Sequence, residues 1–173
     1  MSIEIEAISE KKLLLDNLDT VILSTIDESG MPNSSYAPIA LDENGYIYIY
    51  ISELAKHTDN IIANKKVSVM FIEDESKAAN LYARKRLTIN VIPEHIDRDT
   101  EDWNRKMIIL ENKFSETIKA LKNMTDFHLF RLKPKDALLV YGFGKAFRFK
   151  GEDLAQLSHV NEKGHKEAPI SLD

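Results

Sequence analysis

At 173 residues, with 43% hydrophobic and 29% charged residues, the chain has the length and composition of one globular domain with a core of its own. Lys and Arg total 23 against 28 Asp and Glu, a net charge of -5 that argues against general affinity for nucleic acid or acidic membranes. No cysteine is present, which excludes disulfides, thiolate chemistry and cysteine-held zinc or iron–sulfur centres. No apolar run approaches the ~20 residues that span a bilayer, and the first residues lack a signal-peptide pattern, so a cytoplasmic protein without membrane insertion is expected.

In chain order, Ile8, Leu14, Leu15 and Leu18 share a helical face and predict an amphipathic helix over residues 6–18. Val21–Ile26 reads as an apolar strand, Asp27-Glu28-Ser29-Gly30 as a turn, and Asn33–Leu41 as a second strand whose Pro38 suggests an edge or a bulge. After Asp42–Gly45, Tyr46–Ile51 alternates strictly, with Tyr46, Tyr48 and Tyr50 on one face and Ile47, Ile49 and Ile51 on the other. A short helix over Leu54–Asn64, capped by Ser52, would bury Leu54, Ile61 and Ile62. Val67–Ile72 returns to strand, and the acidic Glu73-Asp74-Glu75 leads into Arg84-Lys85-Arg86, three cations running into Leu87, Ile89 and Val91 with period two.

The longest helix falls between Asp97 and Asn123, with Trp103, Met107, Leu110, Phe114, Ile118 and Leu121 at steps of three or four. Asp126–Leu132 reads as a strand, Pro134-Lys135-Asp136 as a turn, and Ala137–Tyr141 and Lys145–Phe149 as strands hinged at Gly142 and Gly144. After Gly151 the pattern starts helically and fades, and residues 158–173 read as a flexible C-terminal tail of the single domain 1–173. Six or seven short antiparallel strands with inserted helices predict a mainly β, α+β architecture: a small antiparallel barrel with peripheral helices.

In an extended strand Arg84 and Arg86 share a face, about 7 Å apart, while Lys85 points away, so the two guanidinium groups are candidates to grip one anion with two acidic groups. Of five histidines, His57, His95, His128, His159 and His165, none has zinc spacing. His57, next to Lys56, reads either as an exposed helical residue or as the wall of a pocket facing the basic strand. His128 shares a strand face with Asp126, either as a surface pair or as part of a site. His165 reads either as a solvated tail residue or as an imidazole that closes over a pocket and ligates haem iron, with Asp126 holding its other ring nitrogen. No nucleophile elbow is present, and Gly142-Phe143-Gly144 lacks the third glycine of a dinucleotide fingerprint.

The succession Ser34–Pro38, Lys56–Asn60, Met70–Glu75, Ala83–Thr88, Asp126-Phe127 with Phe130–Leu132, and Gly142–Gly144 resembles the HugZ/HutZ-type haem-degrading proteins of the pyridoxamine 5′-phosphate oxidase-like, FMN-binding split-barrel superfamily. The resemblance covers about residues 20–167. It implies a split β-barrel homodimer with haem, both substrate and cofactor, in a cleft between subunits. His165 then matches an axial ligand to the iron, Asp126 the acidic residue that hydrogen-bonds that ligand, and Arg86 a basic residue near the haem and its bound ligand, where it stabilises developing negative charge. Arg84 or Lys85 is a further candidate for the propionates or for an FMN phosphate, Lys56 for the FMN phosphate, and His57 for the pocket wall. Electrons and haem must come from outside partners. The alternatives are an FMN-dependent oxidoreductase and a haem carrier without turnover.

Overall fold

The computed structural model describes residues 2–160. In chain order the elements are α1 (Ile3–Asn17), β1 (Thr20–Ile26), β2 (Pro32–Pro38), β3 (Ala40–Leu41), β4 (Ile47–Ser52), α2 (Lys56–Asn64), β5 (Val67–Ile72), β6 (Arg86–Ile96), α3 (Glu101–Leu121), β7 (Phe127–Gly142), β8 (Lys145–Lys150) and β9 (Gln156–His159). The described residues thus form nine strands rather than six or seven. All strand pairs are antiparallel.

Strand order across the sheet is β2-β1-β5-β6-β7-β4-β3, with β8 also on β7 and β9 beyond β8. The architecture turns on β7. One edge pairs with β6 from Arg86↔Val140 to Ile96↔Leu129. Its other edge carries β4 along Phe127–Leu132 and β8 along Asp136–Gly142. The sheet therefore divides beside β7 into two lobes and makes a split barrel. The turn expected at Pro134–Asp136 does not form. Val91 pairs with Pro134 and Asn90 with Asp136, so Lys135 is an extra residue in a bulge. The proline's missing N–H and the spare residue are absorbed by that bulge, and the strand runs on.

Pro38 and Ile39 divide the predicted second strand. β2 lies at one edge of the sheet on β1, and β3 continues at the far end on β4. The edge position suggested by Pro38 holds, because proline breaks the ladder where the chain changes partners. Beyond Gly151 the chain forms β9 rather than a helix, held to β8 by Phe147↔His159 through Lys150↔Gln156. Ser158 and His159 are thus paired strand, at the point where the predicted tail begins.

Two apolar clusters hold the molecule. The barrel interior packs Leu23, Val69, Phe71, Leu87, Ile89, Ile47, Ile49, Leu139, Phe147 and Phe149, closed by Ala7 and Leu14 of α1. The second cluster sits outside the sheet, where Tyr48 and Tyr50 meet Trp103, Met107, Leu110 and Ile118 of α3. On the tyrosine face of β4, Tyr48 is fully buried and Tyr50 nearly so, because α3 lies over them. α2 also differs from expectation. Ser52 Oγ accepts the Leu54 N–H at 3.1 Å, so the chain makes a local turn and the helix begins later, after Ala55. That phase leaves Leu54 and Ile62 exposed and turns His57, Thr58, Asn60 and Ile61 inward.

Candidate functional site

The basic run is divided by the start of β6. Arg86 is its first residue, whereas Arg84 and Lys85 lie in the approach, after a single turn at Leu81–Ala83 capped by Asn80. Arg84 donates from Nε to the Glu73 carbonyl at 2.8 Å and stands 3.6 Å from Glu75. The Lys85 N–H donates to the Glu73 carboxylate at 2.8 Å, and its ammonium pairs with Glu10 at 2.7 Å. These two cations fasten the loop to β5 and α1. The expected two-pronged grip by Arg84 and Arg86 on one strand face is therefore not formed. Arg86 donates one N–H to the Arg84 carbonyl at 2.8 Å, and among the described residues no carboxylate pairs with it.

Arg86 belongs to the outward face of the sheet, since Leu87 and Ile89 point into the barrel. The registers Tyr36↔Ile22, Ile22↔Met70, Met70↔Thr88 and Thr88↔Leu138 set one outward row across five strands, and Ile72↔Arg86↔Val140 sets the next. Tyr36 is 60% and Ile22 36% exposed. This is an apolar floor edged by a guanidinium, a chemistry that fits a flat, largely apolar molecule carrying acidic groups.

The remaining candidates lie around Ser52 and α2. Asp126, just before β7, accepts the Ser52 hydroxyl at 2.9 Å, and its carbonyl accepts the Glu53 N–H at 2.8 Å. Thr58 donates its hydroxyl to the Ser52 carbonyl at 2.6 Å, tying α2 to the same corner. Lys56 pairs with Asp27 at 3.1 Å. The Asp27 carboxyl is held down to about 2 by the Ser29 hydroxyl, the Met31 N–H and Lys56.

His57 is buried, not an exposed helical residue. Ser35 Oγ donates to the Leu23 carbonyl at 3.1 Å, so at 2.9 Å it accepts from His57 Nδ1–H, and the Nε2 lone pair is left for another partner. Burial pushes the ring below the usual histidine range and keeps it neutral. Beside it Asn60 donates to Thr25 at 2.9 Å, and the buried Asn33 Oδ1 has no partner among the described residues.

The structure brings Asp126, Lys56 and His57 to one corner and Arg84 and Arg86 to another. The eleven residues of β6 lie between the levels of Arg86 and Asp126, and at about 3.3 Å per residue they put roughly 30 Å of strand between them. His57 and Arg86 are also on opposite faces of the sheet. His165 lies outside the described residues. His128 does not pair with Asp126; its partners are Glu53 and His95. Sequence reasoning missed Ser35, Ser52 and His95, whose roles depend on strand register, and no local motif announces them. Among the described residues no helix is long and apolar enough to cross a membrane.

Residues 9–141 match the pyridoxamine 5′-phosphate oxidase family. The chain is 42% identical over 147 residues to heme oxygenase HutZ of Vibrio cholerae serotype O1, covering 85% of this chain and 82% of that one. It is 26% identical over 148 residues to the chloroplastic non-canonical heme oxygenase HOZ of Arabidopsis thaliana, covering 84% of this chain and 43% of HOZ. Among solved structures, that of HutZ from Vibrio cholerae, titled a heme storage protein, superposes with a TM-score of 0.73 at 37% identity, covering 79% of this chain and 97% of that one. Campylobacter jejuni ChuZ superposes with a TM-score of 0.82 at 32% identity, covering 97% of this chain and 68% of ChuZ. The split barrel, the row of registers around Arg86 and these likenesses lead to one assignment: the chain belongs to the pyridoxamine 5′-phosphate oxidase family, among its HutZ-like members.

Proposed function

We propose that the protein binds haem between the subunits of a homodimer and degrades it with oxygen, releasing iron for use in the cytoplasm. The observation that carries this reading is the apolar outward face of β1, β5, β6 and β7, edged by Arg86 with no carboxylate against it among the described residues. The haem oxygenase named among its relatives supports it. When bound, haem supplies the iron at which oxygen is reduced. The chain supplies the setting. Arg86 brings fixed positive charge to the edge of the apolar floor, where it stabilises negative charge that develops during reaction. Asp126, oriented by Ser52, would hold the N–H of the His165 imidazole, and His165 would ligate the iron. A subunit pair lets Arg86 of one chain serve with the Asp126 corner of the other, which answers their separation within one chain. Arg84 acts on the ligand through the loop it anchors, and Lys56 and His57 line the second corner. The electron donor and the haem-delivering partner are separate proteins.

The test is the absorption spectrum of the full chain after haem addition, followed by ascorbate in air. A Soret band that decays to biliverdin-like absorption is the expected result. His165→Ala should weaken haem binding, and Arg86→Ala should keep haem while slowing its loss by roughly 10²-fold or more, the range of a lost charge-stabilising donor. A stable Soret band would mean a haem carrier. Yellow flavin absorption with no Soret shift, unaltered by His165→Ala, would mean the FMN-dependent oxidoreductase.

A further inference from the structure

His95 stands near the end of β6 and His128 near the start of β7, two residues along the same strand face from Phe130, the residue opposite His95. Their facing nitrogens, His95 Nε2 and His128 Nδ1, are 3.0 Å apart. Each ring's other nitrogen is held by a carboxylate. Asp97 Oδ1 is 3.1 Å from His95 Nδ1, and Glu53 Oε1 is 2.6 Å from His128 Nε2. Ionised carboxylates only accept, so the outer nitrogens carry N–H and the inner nitrogens are the ones left to face each other.

A carboxylate on the far N–H of an imidazole is the arrangement that orients histidine toward a metal and raises its basicity. Here it occurs twice, with the two inner nitrogens turned toward each other. We propose that His95 and His128 form a two-imidazole site for a divalent first-row transition-metal ion, with Asp97 and Glu53 as orienting residues. The ion binds between the two inner nitrogens, and its two charges balance those of Asp97 and Glu53.

Geometry narrows the ion. With metal–nitrogen bonds of about 2.0–2.1 Å, nitrogens 3.0 Å apart subtend about 90–97° at the metal. That angle suits neighbouring positions of tetragonal or octahedral coordination, and it is narrower than the roughly 109° of tetrahedral zinc. Copper(II) and nickel(II) fit best, in that order of affinity. Among the described residues no third histidine or carboxylate converges on the pair. Other coordination positions are thus left to water or to a small ligand. A cavity of about 330 Å³ opens onto both rings, walled by Ile61, Ile62, Lys65, Pro93 and Phe130. Lys65 is the cation on that wall, outnumbered by the two carboxylates. The His95 side chain is 41% exposed, which leaves it room to tilt toward the cavity.

The site makes no use of haem, so it is tested on haem-free, untagged full-length chain. Copper(II) followed by electron paramagnetic resonance and calorimetry should show one strong site per chain with two coupled nitrogens. His95→Gln and His128→Gln should each remove one nitrogen from the spectrum and weaken binding. Asp97→Asn, at an 84% exposed side chain where folding is not at stake, should weaken it roughly 10–100-fold with both nitrogens retained. Unchanged affinity in the double variant His95→Gln/His128→Gln, as binding by His57 or His165 would give, overturns the site. So does unchanged affinity in Asp97→Asn.

Discussion

A single hydroxyl fixes the state of the buried histidine. Because Ser35 spends its proton on the Leu23 carbonyl, His57 must donate to it from Nδ1, and burial keeps the ring uncharged. The consequence for stability has a definite sign. In the unfolded chain the ring takes a proton near its ordinary value of about 6.5, but in the folded chain only at lower pH. The stability held by neutral His57 is fully present above about pH 6.5, and it drains away as pH falls toward the depressed folded value. His57→Gln should therefore flatten the fall in stability between about pH 7 and 5, read from denaturant midpoints at each pH. A variant that keeps the wild-type slope would show that His57 is not held neutral.

At the scale of elements, α3 does not run straight. Ser115 sits at φ 43° and ψ -116°, outside the helical region, and divides the helix into two arms. The first arm buries Trp103, Met107 and Leu110, and the break lets Ile118 of the second reach the same cluster. Lys122 spans the break to Glu111 at 2.7 Å. A side chain at such an angle costs of order 1–3 kcal/mol, which glycine relieves. Ser115→Gly should raise stability by about 1 kcal/mol, seen as a higher melting temperature, while Ser115→Ala should not. Period and steps announced this helix, but not its break, because serine carries no signal for it. β1, β5, β8 and the isoleucine face of β4 were equally legible from alternation. β7 was not. Pro134 with Asp136 reads as a turn until the partner strand is known, and the phase of α2 was hidden because Ser52 spends its hydroxyl on a turn.

For the whole molecule, the open question is what covers the outward row Tyr36, Ile22, Met70 and Leu138. In the proposed haem cleft a second copy would lie on this face, with an Arg86 edge toward an Asp126 corner. Ile22→Glu places a charge in the middle of that row without touching the barrel interior. It should convert the proposed dimer to monomer in light scattering and weaken haem binding with it. A monomeric wild type, or an Ile22→Glu protein that remains dimeric, would place the interface elsewhere. The barrel with outer helices was readable in the sequence, and Arg86, Asp126 and Lys56 were named there as candidates. Their distribution over two corners was not, since it follows from registers that join residues dozens of positions apart, such as Arg86 with Val140.

The division of the sheet beside β7 also bears on how the protein avoids its neighbours. Between Leu132, the last residue of β7 paired with β4, and Asp136, the first paired with β8, one edge of β7 has no strand against it among the described residues. An open edge invites the backbone of another chain. The stretch left open is Lys133-Pro134-Lys135. Proline offers no N–H to a newcomer, the bulge at Lys135 breaks the repeat, and the exposed Lys135 ammonium repels its own copy, while Lys133 is paired with Glu94 at 2.7 Å. The gap that makes the barrel a split one is thus closed to strand addition, and the fold keeps its opening without making it a seed for aggregation.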